Sequence, residues 1–226
     1  MKDAGREIKA VIFDLDGTLV DTADEFITVV RALRDTHGLA PLPAAQVRQS
    51  VSNGSGALVT LALDCPPSDP RYEQWRLQFL EDYEQLLGTQ AKPYPGLPLL
   101  VKQLHNAGVS WAVATNKFRR YAEPLMAAMN FQPPAASLIT PCDVTHPKPD
   151  PEAILLSCKN MGVEPSGAIY VGDHQRDIEA GNAAGCFTIA AAYGYIGADD
   201  DPDRWRADAI AESSEKLADM ILRMIQ

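Results

Sequence analysis

Beyond Gly96 the sequence alternates short apolar runs with stretches of helical periodicity, and that alternation restricts the fold more than any other property. Residues 99–105, 118–129, 151–161, 175–184 and 213–225 have apolar side chains at helical spacing. Residues 109–114, 138–140, 168–171 and 187–191 are short, β-branched or alanine-rich runs that read as buried strands. Strands separated by helices imply right-handed crossovers and a mainly parallel sheet. Residues 10–13 (Ala-Val-Ile-Phe) supply one more strand far upstream. Between them, from Asp21 to Gly88, no convincing strand is found. Phe26, Val29, Val30 and Leu33 predict one helix, residues 44–63 a second, broken near Asn53 and Gly54, and residues 69–87 a third. The run Lys92-Pro93-Tyr94-Pro95-Gly96 interrupts the pattern as a turn or hinge would. The expected fold class is therefore α/β, a doubly wound Rossmann-like parallel sheet core with an inserted all-helical cap. Residues 1–20 and 92–226 would form the core, and residues 21–91 the cap.

Composition narrows the partners. The 226 residues carry 30 acids against 20 bases, a formal net charge of -10, with no basic run or basic helical face. That disfavours nucleic acid or an anionic membrane as the main partner. Cys65, Cys142, Cys158 and Cys186 show no close paired spacing, so reduced thiols are expected rather than zinc ligands or a disulfide framework. The charged N-terminus does not read as a signal peptide, and no run is long enough to span a bilayer, which predicts a cytoplasmic location.

The chemistry gathers at the ends of the strands. The first strand runs into Asp14-Leu15-Asp16-Gly17-Thr18-Leu19. Two acids at the carboxyl end of a strand stand where open α/β sheets build ligand sites, and they repel unless a cation lies between them. A solvated strand cap is the plain alternative. The strand 109–114 ends in Thr115-Asn116-Lys117, an anion cradle or a helix cap. Lys148-Pro149-Asp150-Pro151 follows the strand 138–140, with the prolines fixing the backbone around a lysine. The strand 168–171 ends in Gly172-Asp173, and Asp177 lies one helical turn further on. Together these residues describe a Mg²⁺-dependent phosphoryl-transfer site. Mg²⁺ prefers carboxylate and phosphate oxygens. An aspartate can form an acyl phosphate, and a second carboxyl can move the protons. Lys148, Thr115, Asn116 and backbone amides would meet the charge on the transferred group.

These four segments, in this order, resemble the motifs of the haloacid dehalogenase superfamily over nearly the whole chain, with the helical insert matching its first-type cap. The resemblance implies Asp14 as nucleophile and Asp16 as general acid and base. It implies Mg²⁺ held by Asp14, the Asp16 carbonyl and Asp173, with Asp177 in direct or indirect support, and phosphate held by Thr115, Asn116 and Lys148. An acid at position 16 separates the chain from dehalogenases, and the lack of Lys-Thr-Gly-Thr from ion-pumping ATPases. Residues 51–63 look like the cap segment of phosphoglycolate phosphatases, which would make Asn53 and Gly54 substrate contacts, although Ser52 stands where those enzymes usually have Gly. Residues 193–208, expected to be remote from the phosphate, look closest to phosphatases of N-acetylmuramic acid 6-phosphate. The implied substrate is a small carboxylated phosphate ester, 2-phosphoglycolate or N-acetylmuramic acid 6-phosphate. The alternatives are a β-phosphoglucomutase-type mutase, disfavoured because Gly54 stands about where those mutases carry Arg, and a non-catalytic binder of phosphorylated ligands. A receiver domain would be about half this length. Arg31, Arg34, Arg48 and Arg71 are the insert cations considered for a substrate carboxylate. The sequence leaves the oligomeric state open.

Overall fold

The computed structural model describes residues 7–198 and 200–225. Lys2, Asp3 and Arg6, part of the charged N-terminus on which the signal-peptide reading rested, lie outside that range. In chain order the elements begin with β1 (Ala10–Phe13) and β2 (Val20–Asp21). Then come α1 (Ala23–Thr36), α2 (Ala44–Ser50), α3 (Gly54–Leu63) and α4 (Tyr72–Leu86). The chain continues through β3 (Lys92–Pro93), α5 (Leu97–Asn106), β4 (Ser110–Ala114), α6 (Arg119–Met129), β5 (Ser137–Ile139) and α7 (Glu152–Met161). It closes with β6 (Ala168–Gly172), α8 (Gln175–Ala184), β7 (Phe187–Ala191), β8 (Ala209–Ala211) and α9 (Ser214–Met224).

Six strands form one parallel sheet in the order β5-β4-β1-β6-β7-β8. β1 lies inside it, in register with β4 through Phe13–Val113 and with β6 through Phe13–Val171. All of β1 is buried because both faces are covered. Its alternate side chains divide between two cores, as a period of two requires. Val11 and Phe13 meet Leu100 and Leu104 of α5, Leu125 of α6 and Leu217 of α9. Ala10 and Ile12 meet Ile154 of α7 and Ala180 of α8. The helices thus cover both faces, the doubly wound arrangement that the alternation predicts. β4 and β6 flank β1, so Asp14, Thr115 and Asp173 leave the sheet on neighbouring strands at one edge. That edge is where such sheets bind ligands.

α1 to α4 form a helical insert with its own apolar cluster, built on Phe26, Val29, Leu33, Leu58, Val59 and Phe79. The entering and leaving chains pair as a short antiparallel ribbon, Val20 with Pro93 and Asp21 with Lys92. Glu25, fully buried on α1, accepts from the Gln90 and Ala91 amides and ties the two connections together. Sequence reading missed this ribbon because each strand has two residues, too few to show a period. It also missed β8, a three-residue edge strand with one fully buried side chain. No helix of the described residues is long and apolar enough to cross a membrane.

Candidate active site

Asp14 follows β1 directly, its amide bonded to the Val171 carbonyl of β6. Its Oδ1 accepts from the next amide, Leu15, at 2.7 Å, which turns the carboxylate back over the strand end. Gly17 has φ of +78°, and a Cβ there would lie 2.1 Å from Asp173 Oδ2. Only glycine permits both the turn and that approach. Asp177 is held by helix geometry. It accepts from the His174 amide at 3.1 Å while the His174 ring accepts from the Arg176 amide at 3.2 Å, a reciprocal cap at the start of α8. Gly172 leaves room for it, since a Cβ at 172 would lie 2.2 Å from the Asp177 Cβ.

Carboxylate oxygens of Asp14, Asp173 and Asp177 lie within 4.8 Å of one another. Lys148, 4% exposed, stands among them, 2.9 Å from Asp14 Oδ1 and 2.7 Å from Asp177 Oδ1, and donates to the Ala114 carbonyl and the Tyr170 hydroxyl. Burial works against the Lys148 charge, but Asp14 and Asp177 outweigh it and the ammonium is held above its ordinary pKa. Asp173 goes the opposite way to an ordinary aspartate. Burial, then Asp14 and Asp177, push it up to about 8. Burial likewise raises Asp177. Asp14 and Asp177 share one ammonium, and Asp173 is buried beside them and holds its proton against their charge; ionising all three leaves excess negative charge in a desolvated place, and their donor atoms are hard oxygens. Both properties fit a divalent cation such as Mg²⁺.

The other predicted residues also converge here. Thr115 is buried beside the cavity, and its hydroxyl accepts from the Lys117 amide. Asn116 lines the cavity, but both ends of its amide bind the Lys148 main chain, Oδ1 accepting from its N–H and Nδ2 donating to its carbonyl. Asn116 therefore fixes the lysine. Asn53, just before α3, and Gly54, its first residue, line the same cavity of about 240 Å³.

Some functional side chains escaped the sequence. Lys117 reaches Asp16 at 2.9 and 3.2 Å and Tyr83 Oη of α4 at 2.7 Å, and it lies over the Phe26 and Tyr83 rings. Thr22 donates to the same Asp16 carboxylate at 2.7 Å. A lysine after Thr-Asn carried no signal of its own, because its partners lie far away in sequence. The segment after β7 is not remote: the Tyr195 amide donates to Asp173 Oδ2 at 2.8 Å, and its hydroxyl meets Asp21 and the Thr22 amide. The four arginines considered for a substrate carboxylate do not line the cavity. Arg34 is buried on the Ala40 and Ala62 carbonyls, Arg48 pairs with Asp21 and Asp24, Arg71 pairs with Asp69, and Arg31 is exposed on α1. Arg76 of α4 lines it instead.

Comparison with known proteins gives the family. The haloacid dehalogenase-like hydrolase family model matches residues 11–191. The chain is 41% identical over 218 residues to an N-acetylmuramic acid 6-phosphate phosphatase of Pseudomonas aeruginosa, covering 96% of each protein. It is 38% identical to a phosphoglycolate phosphatase of Xanthomonas campestris pv. campestris, covering 92% of this chain and 94% of that one. The crystal structure of a predicted phosphoglycolate phosphatase from Haemophilus somnus 129pt superposes with a TM-score of 0.83 at 25% identity, covering 97% of this chain and 98% of that one. The chain belongs to the haloacid dehalogenase-like hydrolases. It is an enzyme of that superfamily, related along almost its whole length to phosphatases of phosphoric monoesters.

Proposed function

We propose that the protein is a Mg²⁺-dependent phosphomonoester phosphatase working through an aspartyl phosphate on Asp14. The observation that carries this reading is the convergence of Asp14, Asp173 and Asp177 at the edge of the sheet, with the buried Lys148 paired to Asp14 and Asp177. Asp14, the Asp16 carbonyl and Asp173 would hold the cation, with Asp177 beside them. Bound there, the ion would neutralise carboxylate and phosphate charge so that two anions can approach.

The residues of the chain then supply the steps. An Asp14 carboxylate oxygen bonds to phosphorus as the ester P–O bond breaks, and the electron pair leaves on the ester oxygen. Asp16 gives that oxygen a proton. In the second half Asp16 takes a proton from the water that attacks phosphorus, and the bond to Asp14 breaks, releasing phosphate. Lys148, Thr115 and nearby amides meet the phosphoryl oxygens, and Asn116 keeps Lys148 in place. Residues 21–91 act as a cap over the core formed by residues 1–20 and 92–226, excluding water from the reacting groups.

The substrate is a small carboxylated ester, with N-acetylmuramic acid 6-phosphate the leading candidate and 2-phosphoglycolate the second. The names of the relatives support both. The absence of an arginine at Gly54 argues against a sugar phosphomutase. Side-by-side kcat/KM for the two esters and β-glucose 1-phosphate tests the reading. Phosphate release is expected from the carboxylated esters. Isomerisation of the glucose phosphate without release would replace the proposal with the mutase.

A further inference from the structure

The cavity has two chemical halves. Asp14, Asp16, Thr115 and Lys148 make a polar floor for the phosphoryl group. Leu80 and Tyr83 of α4, Tyr121 of α6 and Phe118 just before α6 give the remainder an apolar, aromatic lining. Phe118 is 58% exposed, so its ring offers a face to whatever enters.

Four side-chain cations of Lys or Arg line the cavity: Arg76, Lys117, Lys148 and Arg176. Two are committed to acids of the floor, and a third is tied to the chain that leads into α3. Lys148 serves Asp14 and Asp177, Lys117 serves Asp16 and Tyr83, and Arg176 donates to the Ser52 carbonyl. Arg76 makes one bond, from Nε to the exposed Glu73 at 3.0 Å, and no other hydrogen bond among the described residues. Such an exposed pair is worth little. The guanidinium keeps donors for a carboxylate, which it matches as a fork. Arg76, Leu80 and Tyr83 follow at positions i, i+4 and i+7, so one face of α4 presents a cation beside apolar surface.

One cavity of about 240 Å³ is lined both by Asp14 and Asp16 and by the aromatic side chains, so a single ligand can meet both.

We propose that Arg76 and Phe118 form the specificity subsite, Arg76 binding a substrate carboxylate and Phe118 the apolar face of a sugar ring, so that the enzyme selects a carboxylated sugar phosphate. This rests on the phosphatase reading above. The test compares kcat/KM for N-acetylmuramic acid 6-phosphate and for N-acetylglucosamine 6-phosphate, the same ring without the lactyl carboxylate. Wild type is expected to prefer the first by about tenfold to a hundredfold, the range of a charge-assisted bond. Arg76→Gln should bring the ratio to within about threefold, and Arg76→Lys should restore part of it. Phe118→Ala should lower both sugar esters together relative to 2-phosphoglycolate. A wild-type ratio near one, or a ratio unmoved by Arg76→Gln, overturns the Arg76 assignment. Equal loss on all three esters in Phe118→Ala overturns the stacking role. Wild-type protein that releases no phosphate from these esters or from p-nitrophenyl phosphate with Mg²⁺ overturns the phosphatase reading itself, and the subsite with it.

Discussion

The hydroxyl of Ser52 donates to Asp173 Oδ2 at 3.1 Å, joining the helical insert to the acid at the end of β6. The Tyr195 amide donates to the same oxygen. Even with both donors, burial and the neighbouring Asp14 and Asp177 keep the Asp173 carboxyl near 8. An ordinary aspartate titrates near 3.9.

That displacement sets a pH dependence for the metal-free protein. The folded state binds the Asp173 proton more tightly than the unfolded chain does. Its contribution is fully present below about pH 4 and is lost as the pH rises through about 8, by up to ~1.4 kcal/mol per pH unit. His174 is lowered by burial and by Arg176, so its titration falls below this range. Between about pH 7 and about pH 8.5, protein treated with EDTA should therefore lose Tm, and Asp173→Asn should flatten the slope. Mg²⁺ binds the deprotonated acid, so its gain in Tm should be larger at the higher pH. Thermal melts with and without Mg²⁺ check this, and a Tm that rises with pH in EDTA would count against it.

Lys148 is the counter-charge for the buried acids. Lys148→Met keeps much of the volume and removes the ammonium from Asp14 and Asp177. Breaking a buried pair from one side costs about 3–5 kcal/mol. Urea denaturation in EDTA should show a loss of that order, together with loss of phosphatase turnover. A variant as stable as wild type and still active would remove Lys148 from the account.

Asp16 is fixed from two directions, by Thr22 at the entry to the insert and by Lys117, which also donates to Tyr83 of α4. Lys117→Met should lower kcat at least about tenfold, the value of one charge-assisted bond, with a smaller change in KM. Tyr83→Phe should lower it by a few-fold. Steady-state kinetics on one ester decide the matter, and a kcat within about twofold of wild type in Lys117→Met would show that Asp16 needs no such support.

Most of the scaffold and the acids were legible in the sequence because their signals are local. α8 and β7 begin and end where the apolar pattern does, and Asp14, Asp173 and Asp177 sit at strand ends or one helical turn beyond. What escaped depends on contacts distant in sequence. Lys117 matters through Asp16, 101 positions away, and Tyr195 through Asp173, 22 positions away. The arginine facing the cavity could not be chosen from residues 21–91, since several lie on helices whose mutual rotation is set by packing. Arg76 is singled out only once Leu80 and Tyr83 are seen to share its cavity. Asn116 was readable as a polar residue at a strand end, but its two bonds to the Lys148 backbone were not.

The central claim is that phosphoryl transfers to Asp14. Wild-type enzyme turning over N-acetylmuramic acid 6-phosphate with Mg²⁺ can be quenched rapidly, reduced with borohydride and mapped by peptide mass spectrometry. Reduction of an acyl phosphate converts aspartate to homoserine, so the account predicts homoserine at position 14 and none in Asp14→Asn. Homoserine at another aspartate, or its appearance in Asp14→Asn at the wild-type level, would contradict it.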